Sequence, residues 1–489
     1  MKSIYCGGGF YDDQLLWIIP VLDGYCKENN VDTIIFERKL SSRVINNISI
    51  AKIIKNYNIL SLKDNLSFFK IISIFFFFIK NFINIFHYSL VINRNILLKK
   101  NFSWKKIQIC HSIWDTSFFY LKDGDLNPTF FHKLKASLRV FLNIYFSYSL
   151  KNKNICSAFM GHSVYTARAM ISIFRELKLK IIVHANFSLY SLPLSFDNSW
   201  SIFNKNILKK ITTGKLLKKS ILYWKGRLRG YSNYEDAKIA YKKTTYFKIY
   251  DNLNFDNVIL LHIFRDSPFN VIDKNRIFSD YIDWIEKTLR IIKNSRENWI
   301  IKPHPNFERW GENSFKTYKN IFDNVFNNHQ SKNIKYIFEN ISNIELLKRA
   351  KRIVTFSGTV HVEAACLGLK PIVISKCTLS NLDNNYVLKP QSLSQYSKLL
   401  LMDSKSPIFR LSEKKKKYAM FMIFIRENVI NLRIDLNSSS IYRADKKKIK
   451  DAAFKNIYKN LDKNIDFLRR TGRYIGKNNN TFAKKYSNF

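Results

Sequence analysis

Short apolar runs alternate with amphipathic helical stretches along much of the chain. The segments 299–301 and 352–356 are runs of apolar and β-branched residues, which are typical of buried parallel strands. The second run leads into a helical pattern at 360–367 and then into another strand-like run at 371–375. The same order of strand, helix and strand recurs at 154–190, so the pattern predicts βαβ units and an α/β fold.

A basic His-Pro segment follows the first of these runs. Two prolines flank His304, end the strand and fix the backbone, and Lys302 precedes them. The ligand crevice of a parallel sheet lies outside the carboxyl ends of its strands. We therefore expect Lys302, His304 and Pro305 to line a crevice.

A Ser-Gly-Thr turn opens the predicted helix at 360–367. Free N–H groups and the helix dipole favour a phosphate at a helix N-terminus, which makes Ser357, Gly358 and Thr359 candidates for contacts to one. Glu363 follows one turn later, and its carboxylate suits the hydroxyl groups of a ribose. In the plainer interpretation Ser357 and Thr359 are only helix caps and Glu363 is a first-turn carboxylate. The combination with the His-Pro segment favours a ligand site.

This combination resembles the C-terminal, nucleotide-binding half of GT-B glycosyltransferases, and most closely the bacterial capsule polysaccharide biosynthesis proteins. That group includes transferases of 3-deoxy-manno-octulosonic acid and, more distantly, polysialyltransferases, which share an HP motif and a later serine-rich motif. The resemblance implies two doubly wound Rossmann-type domains that face a central cleft. It also implies a CMP- or UDP-linked sugar donor whose phosphate meets His304 and the turn 357–359. Arg265, in the segment FRDSP, resembles the basic residue that follows the first strand of the second domain in such enzymes.

The length of 489 residues exceeds what one hydrophobic core supports. We predict an N-terminal acceptor-side α/β domain at 1–192 and a linker or helical segment at 193–251. A C-terminal α/β domain that binds the nucleotide sugar is predicted at 252–404, and basic helices with a tail at 405–489.

Two groups of acceptor-side candidates lie in turns of the first domain. The glycine-rich turn at Gly8 follows a strand-like run but lacks the G-x-G-x-x-G spacing, and Asp12 and Asp13 stand where a phosphate would sit. We interpret it as a tight turn beside the cleft. His162, in a Gly-His-Ser turn, either binds the acceptor or supports the turn.

His111 and Asp115 follow a strand predicted at 106–110. An aspartate in that place can act as the general base for an acceptor hydroxyl group. The segment resembles the Q-x-x-x-D motif of the capsule transferases, with His111 in place of the glutamine. Asp115 and His304 are therefore the predicted catalytic residues. In the alternative interpretation Asp115 is a cap or turn residue, and Asp12 or Asp13 is the base.

The charge balance is strongly positive, with 81 Lys and Arg against 37 Asp and Glu and a net charge of +44. It favours an anionic membrane surface, nucleic acid or a phosphorylated substrate as a partner, or it reflects a compositional bias of the whole chain. We expect no specific nucleic acid. No carboxylate cluster with metal-binding spacing accompanies the candidate residues, so we expect no metal ion and no cofactor besides the donor.

The cysteines are dispersed without CxxC spacing, and the chain opens with a strand-like segment, not an apolar leader. We therefore expect a cytoplasmic protein, peripheral on the inner face of the cytoplasmic membrane. The apolar run at 71–79 is shorter than the ~20 residues of a spanning helix. We interpret the helix predicted around it, at 67–88, as a buried core helix, with a membrane-surface helix as the alternative.

The predicted function is glycosyl transfer from a nucleotide-activated donor to a surface polysaccharide, such as capsule or lipopolysaccharide, or to a lipid-linked acceptor. Two other enzymes on the same fold are the first alternative, a sugar-nucleotide 2-epimerase and a glycerol-phosphate polymer transferase. The second alternative is a non-catalytic basic protein that binds membrane or nucleic acid.

Overall fold

A computed structural model provides the structure of the protein. It describes residues 2–64, 66–99, 103–104, 107–161, 164–185, 188–192, 214–229, 254–262, 264, 277–304, 307, 312–327, 331–337, 342–356, 358–375, 384–425 and 446–477.

Eight strands belong to the first half of the chain. They are β1 (Ser3–Gly7), β2 (Thr33–Phe36), β3 (Asn58–Ser61), β4 (Ser103–Trp104), β5 (Ile107–Gln108), β6 (Ile155–Met160), β7 (Lys180–Ala185) and β8 (Ser188–Leu192). Six of them form one sheet in the order β3-β2-β1-β6-β7-β8, and β4 pairs with β5 in a separate hairpin. The sheet is parallel except for β8, which runs antiparallel to β7.

Helices connect these strands. Their bounds are Asp12–Asn29, Ser42–Ile45, Ile48–Ile54, Phe68–Val91, Arg94–Lys99, Cys110–Phe118, Phe130–Ser149 and Thr166–Glu176.

The second sheet is entirely parallel. Its strands are β9 (Asn257–Leu260), β10 (Trp299–Lys302), β11 (Ile334–Tyr336), β12 (Arg352–Thr355) and β13 (Ile372–Val373). They lie in the order β11-β10-β9-β12-β13. Each of the two sheets reverses its winding direction once, at β1/β6 and at β9/β12, which is the topology of a doubly wound fold. The predicted α/β class with two such domains is confirmed.

The helices of the second half of the chain follow the same alternation and then add a C-terminal extension. They span Gly214–Leu228, Tyr281–Ile292, Ser314–Phe326, Asn343–Arg349, Val360–Cys366, Leu393–Leu401, Glu413–Ile425 and Lys446–Lys477, with short 3-10 turns at Asn384–Tyr386 and Pro407–Phe409.

The helix Lys446–Lys477 packs against the first domain, although it is the last described element of the chain. A Cβ atom at Gly472 would lie 1.9 Å from the Val21 carbonyl oxygen, so only glycine permits this approach of the two helices. Arg469 also donates to the buried Asp23 carboxylate at 2.6 Å. The basic C-terminal region therefore contributes a packed helix to the N-terminal core.

The strand predicted at 106–110 is wrong in its extent. Of its described residues, only Ile107–Gln108 is extended, in the small hairpin, and Cys110 already begins the helix Cys110–Phe118. Every residue from Cys110 to Phe118 is buried, so this segment packs into the core as a helix.

The prediction of a buried core helix at 67–88 is also wrong. The helix Phe68–Val91 lies on the protein surface, and most of its large apolar side chains are exposed. Within the described residues it is the one helix that is long and apolar enough to cross a membrane.

The two domains are joined by direct contacts. Asp280, at the start of the helix Tyr281–Ile292, accepts hydrogen bonds from Arg94 Nε at 2.8 Å and from Trp114 Nε1 at 3.2 Å. The backbone of Gly124 in the first domain bonds to the side chains of Thr317 and Asn320 in the second. The Trp114 contact fixes the helix Cys110–Phe118 against the second domain, and the Arg94 and Gly124 contacts fix other segments of the first domain there.

Candidate functional site

Polar groups from three strands meet at the carboxyl edge of the second sheet. His262 follows β9, Lys302 and His304 lie at the end of β10, and Gly358 follows β12. The rings of His262 and His304 are 6.4 Å apart, centre to centre. A Cβ atom at Gly358 would lie 3.2 Å from His262 Nε2, so a glycine lets the backbone after β12 approach the histidine closely. The site therefore lies at the topological switch point of this sheet.

Lys302 is a buried basic residue in this group. Its side chain is buried, with 2 % of the residue exposed, and burial lowers its pKa to about 8. No carboxylate of the described residues forms an ion pair with it. A buried ammonium group is costly unless an anion pairs with it, so Lys302 favours the binding of an anion here.

The two histidines are uncharged at neutral pH. Burial lowers the pKa of His262 to about 4. Burial, together with the nearby His262 and Lys302, lowers the pKa of His304 to about 3. Neutral imidazoles can donate hydrogen bonds to an anion, and a bound anion would stabilise their protonated forms.

Aromatic rings hold His262 in place. Its ring stacks on Tyr281 at 5.3 Å with 7° between the planes, and the Phe356 ring meets it edge-on at 5.6 Å. Sequence reasoning missed His262 and chose Arg265, a few residues later. The signal was present, because His262 follows a strand end in the same way as His304.

The turn after β12 enters the helix Val360–Cys366 at Thr359. Thr359 occupies the N-cap position of this helix, as the plainer interpretation predicts, although its side chain makes no capping hydrogen bond to the helix. The Nδ1 atom of His361 contacts the Gly358 carbonyl group and thereby braces the turn.

Glu363 is buried and paired. Its Oε1 atom accepts a hydrogen bond from Arg227 at 2.5 Å, and both side chains are almost fully buried. Arg227 comes from the helix Gly214–Leu228, far away in the chain, and sequence reasoning did not connect the two residues. The ribose contact of Glu363 stays a prediction, and Arg227 is the residue that orients its carboxylate.

His111 and Asp115 lie one turn apart in the helix Cys110–Phe118, and both are buried. The pKa of Tyr281 is raised, chiefly by burial and also by the negative charge of Asp115. Asp115 therefore lies near the tyrosine on which His262 stacks. The structure thus brings the predicted base of the first domain toward the histidines of the second.

The glycine-rich turn after β1 holds a carboxylate of the protein itself. The backbone N–H groups of Gly8 and Gly9 donate to Glu37 Oε2 at 2.6 and 3.2 Å. Burial alone would raise the pKa of Glu37, but the Lys63 ammonium group and these N–H groups hold it below its usual range. The backbone N–H groups that a phosphate-binding loop would offer to a phosphate are therefore already hydrogen-bonded to Glu37.

Asp12 and Asp13 lie in the first turn of the helix Asp12–Asn29, where negative charge complements the helix dipole. Asp12 also accepts a hydrogen bond from Ser41 Oγ at 2.9 Å. Four of the predicted site residues lie outside the described residues: His162, Arg265, Pro305 and Ser357. Within the described part of the chain, no group of three or more His, Cys, Asp and Glu is arranged to hold a metal ion.

No protein-family model matches the chain, and no curated protein matches it. Among solved structures it is similar to the KpsC beta Kdo 2,4 transferase of Thermosulfurimonas dismutans, with 14% identity and a TM-score of 0.33 over 55% of this chain and 79% of that one. The beta Kdo 2,7 transferase of the same organism has 11% identity and a TM-score of 0.31, over 60% and 96% of the two chains.

A further similar structure is the UDP-GlcNAc 2-epimerase of Methanocaldococcus jannaschii in complex with UDP-GlcNAc and UDP. It has 15% identity and a TM-score of 0.29, and the match covers 87% of this chain and 100% of that one.

Proposed function

We propose that the protein is a glycosyltransferase that takes a sugar from a nucleotide-activated donor and transfers it to a surface polysaccharide or a lipid-linked acceptor. The observation that carries this proposal is the buried Lys302, which has no carboxylate partner among the described residues and lies beside two histidines at a topological switch point. A phosphate of the donor supplies the missing negative charge. Crevices of this kind are where open α/β sheets bind their ligands.

Glycosyl transfer needs most help where negative charge develops on the leaving phosphate. In the proposed reaction an acceptor hydroxyl oxygen bonds to the anomeric carbon while the bond from that carbon to the phosphate oxygen breaks. The electron pair stays on the phosphate, next to the Lys302 ammonium group and the N–H groups of His262 and His304. The backbone after β12 approaches the same place at Gly358.

Asp115 is proposed to take the proton of the acceptor hydroxyl group. It comes from the first domain, and its electrostatic effect on Tyr281 supports a location near the donor site. The Trp114 contact to Asp280 holds its helix against the second domain. A base on one domain and an anion site on the other would suit a reaction between two separate substrates.

The acceptor in this proposal is a glycan or glycolipid, and the protein is peripheral on the inner face of the cytoplasmic membrane. The net charge of +44 supports an anionic surface as its partner. The reaction is proposed to need no metal ion, because the ammonium and imidazole groups supply the charge and hydrogen bonds for the leaving phosphate.

The test is a thermal-shift screen of the full chain against CMP-, UDP-, GDP- and CDP-sugars. A ligand at about 100 times its Kd adds about 2.7 kcal/mol to the free energy of unfolding. The variant Lys302→Met should lose the shift, whereas the control Lys335→Met, an exposed lysine on β11, should keep it. A screen in which no nucleotide sugar shifts the wild-type protein would reject the proposal.

Product analysis separates the transferase from the epimerase, since an epimerase converts its sugar nucleotide without an acceptor. Conversion of UDP-GlcNAc in the absence of any acceptor would favour the epimerase. A non-catalytic binder would instead show binding that falls steeply with salt and is indifferent to sugar nucleotides.

A further inference from the structure

The helix Phe68–Val91 is apolar over most of its surface. Its sequence FFKIISIFFFFIKNFINIFHYSLV contains two lysines and no acidic residue. Helices of this kind are usually covered on every side, by a protein core or by a membrane. In this helix the residues Asn81, Ile85, Tyr88 and Ser89 are buried, and the opposite side is open.

The open side forms one continuous apolar face. Its ten large side chains are exposed by 42% to 81% and are Phe68, Phe69, Ile71, Phe75, Phe76, Ile79, Phe82, Ile83, Phe86 and Leu90. The pairs 68/69, 75/76 and 82/83 are seven residues apart, which places them on one side of the helix. An exposed apolar surface of this kind on a soluble protein marks an interaction site.

The neighbouring helix Phe130–Ser149 extends the apolar face. Phe130 contacts Phe86 with 5.3 Å between ring centres, and the next residue, Phe131, is 75% exposed. The apolar face therefore includes the first turn of the second helix.

The inner side of the helix Phe68–Val91 is attached firmly to the helix Phe130–Ser149. Tyr145 donates a hydrogen bond to Ser73 Oγ at 3.0 Å, and Ser89 donates one to Ser137 Oγ at 3.1 Å. A transmembrane orientation would require these contacts to break. The contacts instead favour a helix that stays on the domain and presents one side to its partner.

Basic residues predominate in the two sequence segments that carry this face. The sequence from 65 to 114 contains seven Lys and Arg residues and no Asp or Glu, and the sequence from 126 to 175 also lacks acidic residues. A second copy of the chain would bring two positive surfaces together, whereas an anionic bilayer would bring opposite charges together. We infer that the apolar face lies in the interface of an anionic bilayer, with the helix axis parallel to the membrane plane.

This inference deepens the proposed peripheral location, because it names the surface that makes the contact. Flotation with vesicles needs neither donor nor acceptor. Failure of membrane docking and failure of the transferase assignment are therefore separate results.

The test is flotation of the full chain with vesicles of phosphatidylcholine and phosphatidylglycerol, and with vesicles of phosphatidylcholine alone. The test variant replaces four exposed residues of the apolar face: Phe75→Ser, Phe76→Ser, Phe82→Ser and Ile83→Ser. Because these side chains are exposed, the variant keeps its core. We expect the wild type to float with the anionic vesicles. The partition coefficient of the variant on the same vesicles should be lower by a factor of about ten or more.

A matched control variant replaces exposed apolar residues elsewhere, with Ile48→Ser, Leu222→Ser and Phe315→Ser. It should float like the wild type. Equal flotation of the four-serine variant and the wild type would overturn the inference, since charge alone would then account for binding. A dimer that forms without vesicles and is lost in the four-serine variant would overturn it in favour of a second copy as the partner.

Depth measurements test the orientation. A fluorophore on a cysteine introduced at Phe69, Phe76, Ile83 or Leu90 should be quenched by brominated lipids to the same extent at all four positions. The unsubstituted protein, labelled in parallel, corrects for its native cysteines. A steady gradient of quenching along the helix would overturn the in-plane orientation and indicate a spanning helix.

Discussion

Replacing Lys302 by methionine should stabilise the ligand-free protein and abolish its binding of nucleotide. Lysine ordinarily has a pKa of 10.5, and burial lowers that of Lys302 to about 8. Each pKa unit corresponds to about 1.4 kcal/mol, so a difference of about 2.5 units implies that the charged form costs the folded state about 3 kcal/mol. Methionine has a similar length and carries no charge, which removes this cost.

The pH dependence has a definite sign. Below pH 8 the lysine is protonated in both the folded and the unfolded states, so the cost is fully present. Between pH 8 and 10.5 the unfolded state binds the proton and the folded state does not, so the stability of the wild type rises with pH. The advantage of the methionine variant should therefore shrink by about 1.4 kcal/mol for each pH unit above 8.

Urea unfolding of both proteins at pH 7 and pH 9 measures these differences, and isothermal titration with the nucleotide sugar measures binding. Lys335→Met is the control and should change stability by less than about 0.5 kcal/mol, because Lys335 is exposed. A Lys302→Met variant that is less stable than the wild type at pH 7 would refute the reasoning, since it would mean that the ammonium group is satisfied in the folded protein.

Three further substitutions test the rest of the structure. His304→Ala should weaken nucleotide binding by ~1.5 to 3 kcal/mol in isothermal titration, and unchanged affinity would remove it from the site. Asp115→Asn should lower turnover by a factor of ~10² to 10⁴ with donor affinity unchanged. If the Asp115→Asn variant stays active while Asp12→Asn is inactive, the base lies in the glycine-rich turn. Gly472→Ala should lower the free energy of unfolding in urea by ~1 to 3 kcal/mol, because its Cβ atom would overlap the Val21 carbonyl oxygen. The control Gly214→Ala, with open space around it, should not lower it. Equal effects of the two substitutions would contradict the close helix packing.

The parallel strands were predictable because their signal is local. The predicted strand at 299–301 corresponds to the observed strand Trp299–Lys302, and the one at 352–356 corresponds to Arg352–Thr355. Proline and the Ser-Gly-Thr turn end these runs, and β-branched residues fill them. The positions of the strand ends also predicted which site residues would lie close together, because the last residues of parallel strands lie at the same edge of the sheet.

The partners of the site residues were not predictable in the same way. Arg227 reaches Glu363 across 136 positions of sequence, and nothing local in either segment encodes that ion pair. For the same reason the packing of Gly472 against the first domain could not be derived from a basic C-terminal sequence. Helix periodicity separates apolar from polar positions but does not distinguish a side that faces a core from one that faces lipid, which explains the error on the helix Phe68–Val91.

The proposed membrane surface and the proposed donor site are connected by a short path through the structure. The helix Phe68–Val91 ends three residues before Arg94, and Arg94 bonds to Asp280 at the start of the helix that carries Tyr281. Tyr281 stacks on His262 in the candidate anion site. An acceptor anchored in a bilayer under the apolar face would therefore have its head group delivered toward the contact between the two domains. This arrangement favours a lipid-linked acceptor over a free polysaccharide, and activity that rises when the same acceptor is presented on anionic vesicles instead of in detergent would support that choice.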